Sequence, residues 1–266
     1  MKKKLPLILI SIVVLGLGIG GFLWLRGRGQ SDSNLEAEPE KTKITEPVNV
    51  IPVSDRPYLK IVPNRAHYVS IMVGDLKKEA ELVEYELEYQ SGSLLQGAFG
   101  EFELESLPAE REIMLGTCSA GGACTYHEDI KGGTLLTRFG GGPEAYALKN
   151  DWRYFENDGT VAEVSSRDAK FQLSSEDLEG VSYIIVTNSP GAPLGLEKEV
   201  ISDVYVLAGS SELSGAGELS IRANSDTEGA SIYGYDGTDW TEFNSSLDGK
   251  QVTAEVELMS VYVAAQ

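Results

Sequence analysis

The sequence is poor in the residues that most enzymes spend on chemistry, with two histidines and two cysteines among 266 residues. No H-E-x-x-H or G-x-S-x-G stretch is present, which leaves out the zincin and serine-hydrolase signatures. No D-x-[DN]-x-[DN]-G calcium loop occurs either. Gly140-Gly141-Gly142-Pro143 is followed by neither a lysine nor a helical pattern, so it is a loop between strands and not a phosphate cradle. Positive charge is scarce as well. Five of the 22 basic residues (Lys2, Lys3, Lys4, Arg26 and Arg28) flank one apolar run, leaving 17 against all 41 acidic residues, a net charge near −24. Such a field repels phosphate backbones and anionic headgroups and excludes nucleic acid as a partner.

What is present begins with that run. Leu5 to Leu25 is 21 residues long and nearly all apolar, and at about 1.5 Å per residue it matches a hydrocarbon layer roughly 30 Å thick. The lysines before it predict an N-terminus inside and the rest of the chain outside. A cleaved signal peptide is the competing reading. Its apolar core is normally shorter and ends in an A-x-A-like site that this chain does not have. The expectation is a single-pass membrane protein: a cytoplasmic tail at 1–4, a transmembrane helix at 5–25, and a C-terminal ectodomain that is extracellular or periplasmic. Residues 26–57 carry no aromatic side chain beyond Gly27 and read as a flexible acidic tether, because such a stretch buries too little apolar area to offset its ordering.

From residue 58 onward the dominant period is two. In LVEYELEY (82–89), Val83, Tyr85, Leu87 and Tyr89 face one way and Glu84, Glu86 and Glu88 the other, as a strand with one wet face requires. Further strands are expected at 101–105, 111–115, 134–139, 145–155 (AYALKN with DWRYF), 170–173, 181–187, 199–207, 218–223, 230–236, 252–258 and 260–265. Asn157-Asp158-Gly159, Asp236-Gly237 and Asp248-Gly249 punctuate them as turns. SSEDLEG (174–180) fits a single helical turn capped by Ser174 or Ser175. Many short strands with such punctuation predict an all-β chain with one or two β-sandwich modules, immunoglobulin-like in size. We place the first domain at 58–158 and the second β-rich domain at 159–266.

The stretch TCSAGGACTYH (117–127) concentrates both cysteines and one histidine. Outside a membrane the default for two cysteines is a disulfide, and Gly121-Gly122 frees the loop between Cys118 and Cys124 to close. A metal site using Cys118, Cys124 and His127 has the wrong rhythm for structural zinc. A third reading is catalytic. Met114-Leu115-Gly116-Thr117-Cys118, with His67 upstream and Arg138 downstream behind an N-terminal anchor, resembles the sortases, anchored cysteine transpeptidases with a β-barrel core. The resemblance implies Cys118 as nucleophile, His67 as acid-base partner and Arg138 as oxyanion stabiliser.

Two weaker constellations remain. Asp236 and Asp239 offer hard oxygen ligands for calcium, although aspartates in turns also serve the backbone. Trp152, Trp240 and Tyr235 offer a ligand-facing aromatic platform, although strand aromatics commonly fill cores. The last 40 residues resemble the closing hairpins of β-rich modules in bacterial surface proteins, which implies an accessory or adhesive module without catalytic residues. The sequence therefore points to a non-enzymatic, membrane-anchored binding, adhesion or envelope-structural protein, with a protein or glycan partner in the cell envelope and no cofactor. The sortase-like transpeptidase is the alternative.

Overall fold

Alternating side chains produce strands almost everywhere in the computed structural model, which describes residues 47–266. The expected tail and membrane helix, and the tether up to residue 46, lie outside the described residues. Among the described residues no helix is long and apolar enough to cross a membrane.

The first half contains β1 (Tyr58–Arg65), β2 (Tyr68–Asp75), β3 (Leu82–Ser91), β4 (Leu94–Glu103), β5 (Ala109–Met114), β6 (Gly116–Cys118), β7 (Cys124–Tyr126), β8 (Ile130–Gly140) and β9 (Tyr146–Glu156). The second half contains β10 (Glu163–Ser165), β11 (Phe171–Ser174), β12 (Tyr183–Ser189), β13 (Val204–Gly209) and β14 (Ala216–Arg222). It closes with β15 (Ser231–Tyr235), β16 (Trp240–Phe243), β17 (Ser246–Asp248), β18 (Gln251–Glu257) and β19 (Val261–Ala265). The expected helical turn is a 3-10 turn at Glu176–Gly180, with the Ser175 hydroxyl accepting from the Asp177 amide.

One nine-stranded sheet, ordered β16-β15-β19-β13-β12-β9-β8-β3-β4, runs through both halves. A three-stranded sheet, β1-β2-β5, covers one end of it, and a five-stranded sheet, β10-β11-β14-β18-β17, covers the other. The chain is thus all-β with two sandwich-like layers built on a shared sheet, which stays continuous across residue 158 because β12 pairs with β9 from Tyr183↔Glu156 to Thr187↔Trp152.

Side-chain parity decides which face each cover takes. On β3 the row Val83, Tyr85, Leu87 and Tyr89 is buried against β1, β2 and β5, each side chain contributing about 1.5–3 kcal/mol by its removal from water. A one-residue slip would bury Glu84, Glu86 and Glu88 instead, so the register is strongly specified. On β12 the parity splits between the two cores: Ile185 belongs to the first, while Ile184 and Val186 belong to the second.

Several strands depart from expectation. β1 and β2 come from a stretch in which no strand was anticipated. β4 begins at Leu94 rather than residue 101 and leaves Leu94, Leu95 and Phe99 exposed on an edge strand. Residues 199–203 stay outside β13, bridged at Val200 to Ala265 and hydrogen-bonded to Ala264, Gln266 and Asn224. The described end of the tether is docked: Val48 bridges Ala147 in parallel, and the Asn49 amide donates to the Ala147 carbonyl at 2.9 Å. That short addition pairs the β9 edge just where β12 has ended.

Candidate binding cleft

Cys118 and Cys124 face one another in the short β6–β7 pair and are joined by a disulfide. Gly122, at a φ of 82°, turns the loop between them, and its amide donates to the Ser119 carbonyl. With both sulfurs bonded to each other, Cys118 presents no thiolate.

The two histidines anchor this hairpin to the body. His127 sits between the Tyr89 hydroxyl, 2.9 Å from Nδ1, and the Thr117 hydroxyl, 3.1 Å from Nε2. His67 Nδ1 donates to the His127 carbonyl at 3.1 Å while its ring stacks on Tyr126. Arg138 pairs with Glu86 at 2.9 Å on β8 and β3, with no hydrogen bond or ion pair to Cys118 or His67. His67 is therefore gathered at the cysteine hairpin, and Arg138 is occupied elsewhere.

The other anticipated residues are also spent locally. Trp152 is a correction to the aromatic platform: it is wholly buried on the inward face of β9, and its indole N–H donates to the Glu88 carbonyl. Its place in the alternation Leu148, Asn150, Trp152, Tyr154 turns it inward. Trp240 and Tyr235 do meet, with ring centroids 5.2 Å apart. Their polar atoms are taken, however, since Trp240 Nε1 donates to the Leu194 carbonyl and the Tyr235 hydroxyl to that of Gly237. Asp236 Oδ1 accepts from the amides of Thr238 and Asp239 at 2.7 and 2.9 Å, closing a turn. Those bonds hold its carboxyl below the usual carboxylate range. Among the described residues no group of three or more His, Cys, Asp or Glu side chains is arranged to hold a metal ion.

A different place stands out once hydrogen bonds are accounted for. Five buried side-chain polar atoms among the described residues have no hydrogen-bond partner: both amide atoms of Asn150, Thr187 Oγ1, Asn188 Oδ1 and Tyr205 Oη. All belong to the neighbouring strands β9, β12 and β13. Each such atom, left without a partner, costs about 1–3 kcal/mol. A concentration of this kind is unusual in a native interior.

Asn150 and Asn188 both line a cleft of about 580 Å³ at this end of the sheet, a volume in the range of ligand pockets. Its walls come from the docked stem, from the β12–β13 connection and from the segment at Asn224. Arg56, on the stem, donates to the carbonyls of Asn49 and Ile51 at 2.8 and 3.1 Å. Burial lowers its pKa, and the nearby Asp203 charge opposes that fall. On the far rim, Lys170 Nζ bonds Asp203 at 3.3 Å and Asn224 Oδ1 at 3.1 Å, while Asn224 Nδ2 donates to Asp203 at 3.1 Å. The stem and the β12–β13 connection press closely together at Gly191, where a Cβ would lie 2.3 Å from the Arg56 carbonyl oxygen.

The sequence reading missed this cleft because none of its residue types is conspicuous. One signal was available. Read as a single strand, AYALKNDWRYF places Asn150 in the inward row between Leu148 and Trp152, and an amide at an inward position asks for a partner. The chain matches no family model, no curated protein and no solved structure.

Proposed function

We propose that this chain is a membrane-anchored, non-enzymatic binding protein of the cell envelope, held by residues 5–25 with its β-rich part outside. The observation that carries the binding role is the Asn150 amide, 6% exposed, unpartnered and at the wall of a polar cleft. A scaffold gains nothing from such a group, whereas a ligand that completes it recovers the lost hydrogen bonds. The four strands β9-β8-β3-β4 facing three, β1-β2-β5, match the count of an immunoglobulin-like sandwich, a frame that commonly carries binding sites. The disulfide supports an oxidising location and removes the thiolate that a sortase-like reaction needs.

The experiment uses the full chain in lipid nanodiscs, immobilised and exposed first to envelope polysaccharide and then to an exported-protein fraction. Saturable binding that is lost in Asn150→Leu is the expected result. Turnover of wall peptides that disappears in Cys118→Ala would overturn the reading in favour of the transpeptidase.

A further inference from the structure

Resting on that reading, we infer that the cleft takes an extended polypeptide segment, recognised mainly through its backbone. Three features of the lining lead there.

The first is donor and acceptor matching. Asn49, Asn150, Asn188 and Asn224 all line the cleft. A carboxamide presents one acceptor oxygen and an N–H donor side by side, the complement of a peptide group. Asn150 has both kinds of atom to offer, and Asn188 has its oxygen.

The second is that the protein already does this to itself at the same wall. The Asn49 carboxamide pairs with one residue of the β9 backbone, donating to the Lys149 carbonyl at 3.0 Å and accepting from the Lys149 amide at 3.0 Å. With the Val48–Ala147 bridge beside it, a stretched segment of the stem is held by main-chain groups and one amide side chain. This is the chemistry of strand addition, in which backbone bonds give affinity.

The third concerns what lines the remainder. No aromatic side chain does, so no flat face is offered to a sugar ring, and both Trp152 and Trp240 are engaged elsewhere. The rim carries both signs of charge, Arg56 and Lys149 with Asp151 and Asp203. That mixture disfavours a polyanion and suits a chain bearing side chains of either sign. Val53, Val200 and Pro190 supply the apolar surface that such side chains need.

The test pans a display library of random linear peptides on the full chain in nanodiscs, with a glycan array run in parallel on the same preparation. Enriched peptides are expected, and their binding weakens at least tenfold in both Asn150→Leu and Asn188→Leu. The thermal midpoint of Asn150→Leu, followed by tryptophan fluorescence, is expected to stay or rise, because an apolar side chain removes two orphaned atoms. A purely structural Asn150 would lower the midpoint instead. Should Asn150→Leu fail to fold, Asn188→Leu on the cleft wall carries the binding readout alone.

Peptides that bind the variants as well as the wild type, or no enrichment at all, overturn the inference. Glycan binding that depends on Asn150 overturns the peptide assignment while leaving the binding function of the cleft intact. A partner retained equally by wild type and both variants sinks the cleft and leaves only the anchored-binding reading.

Discussion

The cysteine hairpin and the polar cleft are opposites in what they show and what they leave undone. The hairpin holds both cysteines and both histidines nearby, and each of these is satisfied: sulfur to sulfur, His127 between two hydroxyls, His67 on a carbonyl and an aromatic ring. The cleft holds asparagines and serines that draw no notice in the sequence, and two of them, Asn150 and Asn188, leave their hydrogen bonds incomplete. Reactive residue types thus mark where this fold is fastened. Ordinary amides mark where, in the function proposed above, it takes a partner. The difference teaches that a candidate site is better located by unfulfilled chemistry than by the prestige of its residues.

The comparison makes opposite demands on mutants at the two places, and the largest effect is expected at the hairpin. His127→Ala removes the partner of the Tyr89 hydroxyl, a residue only 1% exposed, and the contact with Thr117. The loss of two hydrogen bonds, one leaving a buried hydroxyl unpaired, costs about 2–4 kcal/mol in unfolding free energy. The binding proposed at the cleft is expected to stay unchanged. Denaturant unfolding of the variant beside the wild type checks the cost, and a catalytic histidine would reveal itself by a lost activity with little change in stability.

Next in size is the disulfide. Replacing Cys118 and Cys124 together by serine frees a loop with five residues between the cysteines. In the chain-entropy account this costs about 2 kcal/mol. The effect is expected to be local, with faster amide exchange in β6 and β7 and little change in β9 or β12. Uniform loss of protection across the nine-stranded sheet would show that the hairpin supports the whole fold, and the contrast with the cleft would weaken.

How much of this was legible beforehand follows the same line. The period of two in 82–89, the turn at Asp236-Gly237 and the capped turn at Ser175 are local signals, and each reappears where the sequence put it. The pairing of Cys118 with Cys124 is local too. What escaped depends on distant pairings: β1 against β2 and β5, the shared sheet through β9 and β12, and the meeting of Asn150, Asn188 and Arg56, which are brought together only by those pairings. The docked stem escaped for a related reason. Its polar composition reads as a tether, and only the unpaired edge of β9 gives Val48 and Asn49 something to bind.

The smallest effect separates two buried phenols, Tyr89 beside the hairpin and Tyr205 in the second core near Asp203 of the cleft wall. Burial pushes the Tyr89 phenol from 10.0 up to about 12. Burial, with help from Asp203 and Asp168, drives that of Tyr205 higher still. An acid whose folded pKa lies above its unfolded value supports the fold fully below the unfolded value, and that support drains away as pH climbs through the folded one. Stability is therefore expected to fall as pH rises from 10 to 12, and Tyr89→Phe and Tyr205→Phe should each flatten the fall. At neutral pH the two part company. Tyr89→Phe gives up a hydrogen bond to His127 and loses about 0.5–1.5 kcal/mol, whereas Tyr205→Phe discards a hydroxyl that lies near the Asp203 carboxylate without a well-formed hydrogen bond and loses less. Denaturation midpoints of both variants at neutral and alkaline pH decide the matter. An equal loss at neutral pH would mean that Tyr205 is as well satisfied as Tyr89, and the line drawn between a finished hairpin and an unfinished cleft would have to move.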